Sequence, residues 1–452
     1  MRHLMPLLAA VALVLSTAPA YADLGDQLFK LLADDGAAND QFGFSVAING
    51  AVAIVGAFGD DDNGTDSGSA YLFDTTTGRQ IAKLLPKDGA ELDHFGFSVA
   101  ISGAIAIVGA GGDDDNGDYS GSAYLFDTTT GKQIAKLLPD AGAALDLFSS
   151  VAISGATAIV GANGDDDNGE SSGSAYLFDT TTGRQIAKLL PNDGATWDFF
   201  GTSVAISGAT AIVGASGDSD NGSRSGSAYL FDTTTGRQIA KLLPNDGAGG
   251  DEFGFSVAIS GATAIIGAPE DDDNSFDSGS AYLFDTTTGR QIAKLLPNDG
   301  DLADWFGISV AISGTTAIVG AWFDDDNGSG SGSAYLFDTN TGEQMAKLLP
   351  DDGAFQDYFG TSVAIIGATA IVGVYRDDDN GTNSGSAYLF AAARTGMCPW
   401  NLDDDDSVGI LDLLALLAAW GTDPGGPPDF DGDGTVGILD LLALLANWGW
   451  CP

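Results

Sequence analysis

The sequence predicts a mainly β chain: a seven-bladed β-propeller of four-stranded blades, followed by a small all-α domain. Three observations lead there. "GSAYLF" occurs seven times, with tyrosines at Tyr71, Tyr124, Tyr176, Tyr229, Tyr282, Tyr335 and Tyr388, 53 residues apart and once 52. Each unit holds four short β-prone runs separated by turn residues, the pattern of a propeller blade. The runs are also out of phase by one. "QLFKLL" at residues 27–32 has no blade before it, and the last "SAYLF" ends at Phe390 with no fourth run after it. Pairing the first run with the last blade closes a ring and leaves no orphan edge, whereas an open solenoid tends to carry distinct capping repeats.

Residues 1–22 read as a secretory signal. Arg2 starts it, "LLAAVALVLSTA" is too short for a typical membrane span, and "AYA" at Ala20–Ala22 offers a cleavage site before Asp23. No later stretch is long enough to span a bilayer, so an exported, soluble or surface-held protein is expected. The formal charge is -46 with only 17 Lys and Arg, which opposes binding to nucleic acid and favours cations or a cationic partner. With 44% hydrophobic residues the chain can still bury a large core.

The propeller is expected over residues 23–390. Its runs are "SVAI", "AIVGA", "SAYLF" and "QIAKLL", divided by "SG" or "NG", an acidic loop, "DTTTG" and "NDGA". Both faces of "AYLF" are apolar, as in a sheet sandwiched between neighbours. Six blades carry Phe-Gly at the inner strand: Phe42-Gly43, Phe95-Gly96, Phe200-Gly201, Phe253-Gly254, Phe306-Gly307 and Phe359-Gly360. The third has "FSS" at Phe148–Ser150 and one residue fewer. With the "VGA" that follows, these units resemble FG-GAP repeats, the blades of the integrin alpha-subunit propeller. That resemblance implies fold more than function.

Calcium-binding blades of that family hold the metal between strands one and two. Here that connection is "SGAT", or "NGAV" at Asn49–Val52, too tight for several oxygen ligands. The acid lies instead between strands two and three, as "GDDDNG" or near-copies. Adjacent aspartates point different ways, and Gly64 falls one residue short of its place in a calcium loop. The loop reads better as turn chemistry with diffuse attraction for cations. The loops joining strand four to the next blade emerge on the same side and are acidic too, with Asp35 and Asp40 in the first and Asp352 and Asp357 in the last. One propeller face is therefore expected to be strongly negative.

The blades differ mostly on that face. Two residues before the Phe-Gly glycine stand Gln41, His94, Leu147, Phe199, Glu252, Trp305 and Tyr358, with Trp197, Trp322, Phe323, Phe355 and Tyr375 nearby. Trp305, Trp322, Phe323, Phe355, Tyr358 and Tyr375 cluster in blades 6 and 7. Rings beside carboxylates suit sugar binding; the plainer alternative is that they fill gaps between blades. Catalysis has little support. Beyond the signal His94 is the only histidine, and no carboxylate stands apart from its repeats.

Residues 391–397 form a linker by composition, and residues 398–452 contain two copies of a 28-residue unit. In the second, Asp429, Asp431, Asp433, Thr435 and Asp440 occupy positions 1, 3, 5, 7 and 12 of a calcium loop, and Gly434 makes the turn. In the first, Asn401, Asp403, Asp405, Ser407 and Asp412 match, while Asp406 replaces the glycine, so that site is expected to be weaker. Each loop runs into an apolar helix. Two loop-helix units bracketed by Cys398 and Cys451 resemble a dockerin of the Cys-bracketed type. The resemblance implies calcium as cofactor, a Cys398–Cys451 bond, and a cohesin-like or cell-surface anchoring partner. A secreted or surface-attached, non-enzymatic binding or adhesion protein is thus expected. The alternative is a carbohydrate-binding or polysaccharide-degrading component of an extracellular assembly.

Overall fold

The structure is a computed structural model and describes residues 22–393, 407–408, 410–420, 436–446 and 449–450. The chain divides into two compact units. Among the described residues the larger holds Gln27–Ala392 and the smaller holds residues 407–408, 410–420, 436–446 and 449–450.

The larger unit is the ring that the repeats predict. Strand β1 (Gln27–Leu31) is followed by β2 (Phe42–Asn49), β3 (Val52–Ala57), β4 (Ser69–Asp74) and β5 (Arg79–Leu84), and β2 to β5 form the antiparallel sheet of blade 1. Blades 2 to 6 repeat this order. Blade 7 consists of Ser362–Ile366, Thr369–Val374 and Ser386–Ala391, with β1 as its outer strand. Lys30 pairs with Tyr388 and Leu31 with Ala387, so the chain start closes the ring.

The packing explains the repeated residues. The tyrosine, leucine and phenylalanine of every "SAYLF" are buried between sheets. The inner-strand phenylalanine sits edge-on against two of these rings: Phe42 lies 5.4 Å from Tyr71 and 5.7 Å from Phe73. The glycines are set by the approach of neighbouring blades. Gly96 has φ 97°, and a Cβ on it would lie 2.2 Å from the Ser69 carbonyl oxygen. A Cβ on Gly56 would lie 2.0 Å from the Gly96 oxygen. The Phe-Gly and Val-Gly-Ala signatures are thus two sides of one backbone contact. In five joints a serine hydroxyl tightens it, as when Ser45 Oγ donates to Gly96 O at 2.7 Å and Ser362 Oγ to Gly43 O at 2.9 Å across the closure.

In the smaller unit, helices α1 (Ile410–Ala418) and α2 (Ile438–Ala446) share the sequence ILDLLALLA. Leu416, Val436 and Leu444 form their common core. Ser407–Val408 pairs antiparallel with Gly449–Trp450. Residues 1–21 of the signal, Cys398, Cys451, Asn401, Asp403, Asp405, Asp429, Asp431, Asp433 and Thr435 lie outside the described residues.

Candidate functional site

The acidic loops resolve into a repeated ionic clasp. Strand alternation places Lys83 opposite Tyr71 in the β4–β5 register, and the hairpin after β3 brings Asp60 over both. Asp60 is 3% exposed. It accepts the Tyr71 hydroxyl at 3.0 Å and the Lys83 ammonium at 2.9 Å. Asp62, from the same loop, and Asp35, from the preceding blade's connection, reach that ammonium at 2.7 and 2.9 Å. The ammonium also stands 5.2 Å over the Tyr71 ring. Burial alone would push Lys83 down, but its bonds to Asp62, Asp60 and Asp35 outweigh that and hold it above the ordinary lysine range.

Lys30, Lys136, Lys188, Lys241, Lys294 and Lys347 repeat the arrangement. Because the third carboxylate comes from the previous blade, each full clasp also ties two blades. Asp352 to Lys30 and Asp35 to Lys83 do so across the closure. Among the described residues, the carboxylates that converge as a metal group would are Asp352, Asp377 and Asp379. They surround Lys30 Nζ at 2.7, 2.9 and 2.7 Å. The cation at this point is one the chain itself supplies. The middle aspartate shapes the turn, Asp61 Oδ1 accepting the Asp66 N–H at 2.9 Å. The acid expected to act diffusely is thus paired with a lysine that the sequence expectation did not include. The available signal was one lysine at the same place in every outer strand, on the tyrosine's cross-strand partner.

A second set of aspartates is buried without a cation. Asp40 accepts the Ala37 N–H at 2.7 Å, and burial pushes its carboxyl up to about 6. Asp93, Asp198, Asp251, Asp304 and Asp357 are likewise raised to about 6 by burial. Between the ordinary value of 3.8 and about 6 the folded chain holds protons that the unfolded chain has released. Their contribution is therefore full below the ordinary value and lost as pH rises through about 6. The clasp carboxylates Asp35, Asp88, Asp218, Asp246, Asp324 and Asp352 are held low against their burial by their lysines, and their stabilisation is lost only in stronger acid. Thermal melts are expected to place maximal stability at about pH 4, with Tm several degrees above its value at about pH 7.5. A Tm that rises steadily from pH 5 to 7.5 would overturn this.

The variable aromatics form an arc on the same face. Trp305 lies 5.8 Å from Trp322, Trp322 5.7 Å from Tyr358, and Tyr358 stacks on Tyr375 at 5.8 Å. Phe323 joins at 5.1 Å from Tyr358, and the Arg376 guanidinium caps Tyr358 at 4.8 Å. Phe355 is 64% exposed, and no ring pairing joins it to the arc among the described residues. Ring closure carries the arc onward: Tyr375 lies 5.6 Å from Phe44, Phe44 4.6 Å from Phe58 and 5.1 Å from Phe97, and Phe58 5.7 Å from His94. Phe44, Phe58 and Phe97 stand outside the column two residues before the glycine and are not among the aromatics expected from sequence. Phe58 occupies the column of Trp322 and Tyr375, and following it would have exposed the continuity.

Of the tail's candidate ligands, Asp412 and Asp440 are buried in the first turns of α1 and α2. Asp440 Oδ2 accepts the Gly437 N–H at 2.6 Å, as a helix-capping carboxylate does. Ser407 lies in the short ladder with Trp450.

The geometry defines a closed propeller of near-identical blades with one acidic, aromatic-bearing loop face. FG-GAP repeats match at residues 26–73, 79–126, 132–178, 184–231, 237–284, 290–337 and 343–390, and the chain belongs to the FG-GAP repeat family. Each match begins near the outer strand and ends with "SAYLF", so the repeat unit spans two blades. No curated protein matches the chain. Among the described residues no helix is long and apolar enough to cross a membrane.

Proposed function

We propose that this is an exported, non-enzymatic binding or adhesion protein, with the loop face as ligand surface and the tail as a calcium-dependent, dockerin-like anchor. The observation that carries this reading is the aromatic arc. It lies where the blades stop being copies, while clasps and cores repeat almost unchanged. Rings that served only to fill gaps would have no reason to gather on four consecutive blades. The tail adds support. Ile410, Leu414 and Leu417 on α1, and Ile438, Leu442 and Leu445 on α2, are all about half exposed or more, giving two equivalent apolar stripes. Stripes of this kind suit a cohesin-like or cell-surface partner. Asp429, Asp431, Asp433, Thr435 and Asp440 would hold one calcium ion, and Asn401, Asp403, Asp405, Ser407 and Asp412 a weaker one. The chemistry is oxygen-only, as calcium requires.

The test is binding of the full chain to an array of glycans and extracellular proteins, with and without chelator. Trp322→Ala with Tyr375→Ala should abolish capture by a loop-face ligand and leave calcium uptake unchanged. Asp440→Asn keeps an acceptor for the Gly437 N–H but removes a charge. It should weaken calcium binding at least about tenfold and abolish only capture through the tail. Array binding indifferent to both variants would sink the proposal.

A further inference from the structure

The loop face has one joint where the repeated devices fail together, between blades 2 and 3. Ser149 stands where other blades have the Phe-Gly glycine, and the repeat is one residue shorter there in sequence. The Gly–Phe approach is looser here: a Cβ on Gly121 would lie 2.5 Å from the Phe148 oxygen, against 2.0 Å from Gly68 to Phe95, although Phe148 N–H still donates to Ser120 O at 3.1 Å. The aspartate that completes the clasp elsewhere is Ala141, so Lys188 is held by Asp165 and Asp167 alone. The column that holds Phe58, Trp322 and Tyr375 holds Gly111 and Asn163 here. These small or shortened parts open a cavity of about 250 Å³ at the end of the aromatic arc.

The cavity has two chemical sides. Phe97, Tyr119 and Leu147 make one, with the His94 ring. Ser149, Ser150, Asn163 and Thr202 make the other. The Ser149 and Thr202 hydroxyls donate to the Leu147 and Phe199 carbonyls at 3.2 and 2.7 Å and keep lone pairs free to accept. The Ser150 hydroxyl does not make the bond to the next blade's glycine carbonyl that its counterparts Ser45 and Ser203 make. No carboxylate lines the cavity, on a face otherwise crowded with them.

That combination selects the ligand. An anion meets the field of the surrounding aspartates. A cation finds no counter-charge in the lining. Burial holds the His94 imidazole below its ordinary value, so it too is neutral at pH 7. A wholly apolar guest would leave four polar side chains without water. What remains is a neutral molecule with an apolar face and a hydroxyl rim, and the volume allows one ring. We propose that this cavity binds the terminal neutral sugar ring of a glycan. This rests on the reading of the loop face as a ligand surface.

The test is titration calorimetry of the full chain with methyl α-glucopyranoside, methyl α-galactopyranoside, methyl α-mannopyranoside and N-acetylglucosamine, with glucuronate, glucosamine and indole as controls. At least one neutral sugar should bind with Kd of about millimolar or tighter, and the controls should bind at least about tenfold more weakly. Gly111→Phe installs the residue blade 1 carries in that column, and its Cβ would approach only the Ser149 side chain, at 3.2 Å. It should lower sugar affinity at least about tenfold with Tm held. Asn163→Leu, which removes a polar group and fills nothing, should do the same and keeps the test valid if Gly111→Phe folds poorly. Absence of neutral-sugar binding, equal affinity in both variants, or preference for indole or a charged sugar would overturn the proposal. If array ligands are lost on Trp322→Ala with Tyr375→Ala but survive Gly111→Phe, the cavity assignment fails and the loop-face reading stands.

Discussion

Lys241→Met is expected to destabilise the propeller by about 3 kcal/mol at pH 7, measured by urea or thermal unfolding. Methionine keeps the length of the stem and its contact with the sheet, so the change removes little but the charge. Asp218, 3% exposed, would then keep only the Tyr229 hydroxyl at 2.9 Å and backbone donors for a buried negative charge. Asp193 and Asp220, whose side chains are about half exposed, would turn to water at little cost. The loss is larger than for a surface ion pair because one partner is left buried and unmatched. In the native chain Lys241 holds Asp218 low against its burial, so its contribution is present at neutral pH and lost in acid. In the variant burial is opposed only by the Tyr229 hydroxyl and the Asp220 N–H, and protonating Asp218 becomes easier. The difference between the two proteins should therefore shrink from pH 7 towards about pH 4. Adding Asp218→Asn should recover part of the loss. A change within about 0.5 kcal/mol at pH 7 would mean that the clasp is ornamental.

A chain that begins at Asp34, and so lacks β1, is expected to give no folded monomer. Its loss should exceed the roughly 5–15 kcal/mol that a domain has in hand. Removal of the strand uncovers the Ser386–Ala391 edge, every residue of which is buried in the ring, and an unpaired apolar edge invites aggregation. It also strands three carboxylates, Asp352, Asp377 and Asp379, that share Lys30. A peptide spanning residues 23–35 added in trans should restore soluble monomer, and the same peptide with Lys30→Glu should not. Gel filtration with circular dichroism reads both. A soluble, monomeric propeller without β1 would show that the ring does not depend on its closure.

The blades were legible because their information is local and repeated: alternating apolar residues, turn glycines, and a phase offset that only a closed ring resolves. The helical pair was legible in the same way, since ILDLLALLA appears twice. The clasp was not. Asp35 meets Lys83 only because two blades pack, and no spacing within one repeat displays that meeting. The arc was half legible. Trp305, Trp322 and Tyr375 fall in adjacent repeats, but Phe44 and Phe97 become their neighbours only when the first and last blades touch. The cavity was marked in the sequence by "FSS" and by Ala141, yet departures from a repeat state only where something differs. Side-chain packing decides whether a gap closes or stays open.

The clasps also decide which amines the folded protein offers to chemistry. Of nine lysines, seven are the clasp residues, each protonated and pinned between carboxylates. A nucleophilic amine must first lose its proton, so acylating reagents, crosslinkers and enzymes that modify lysine meet only Lys87 and Lys132 as exposed side chains in the ring. The clasps thus make seven of the nine lysine amines almost inert, and attachment through exposed lysine side chains of the ring is confined to blades 1 and 2.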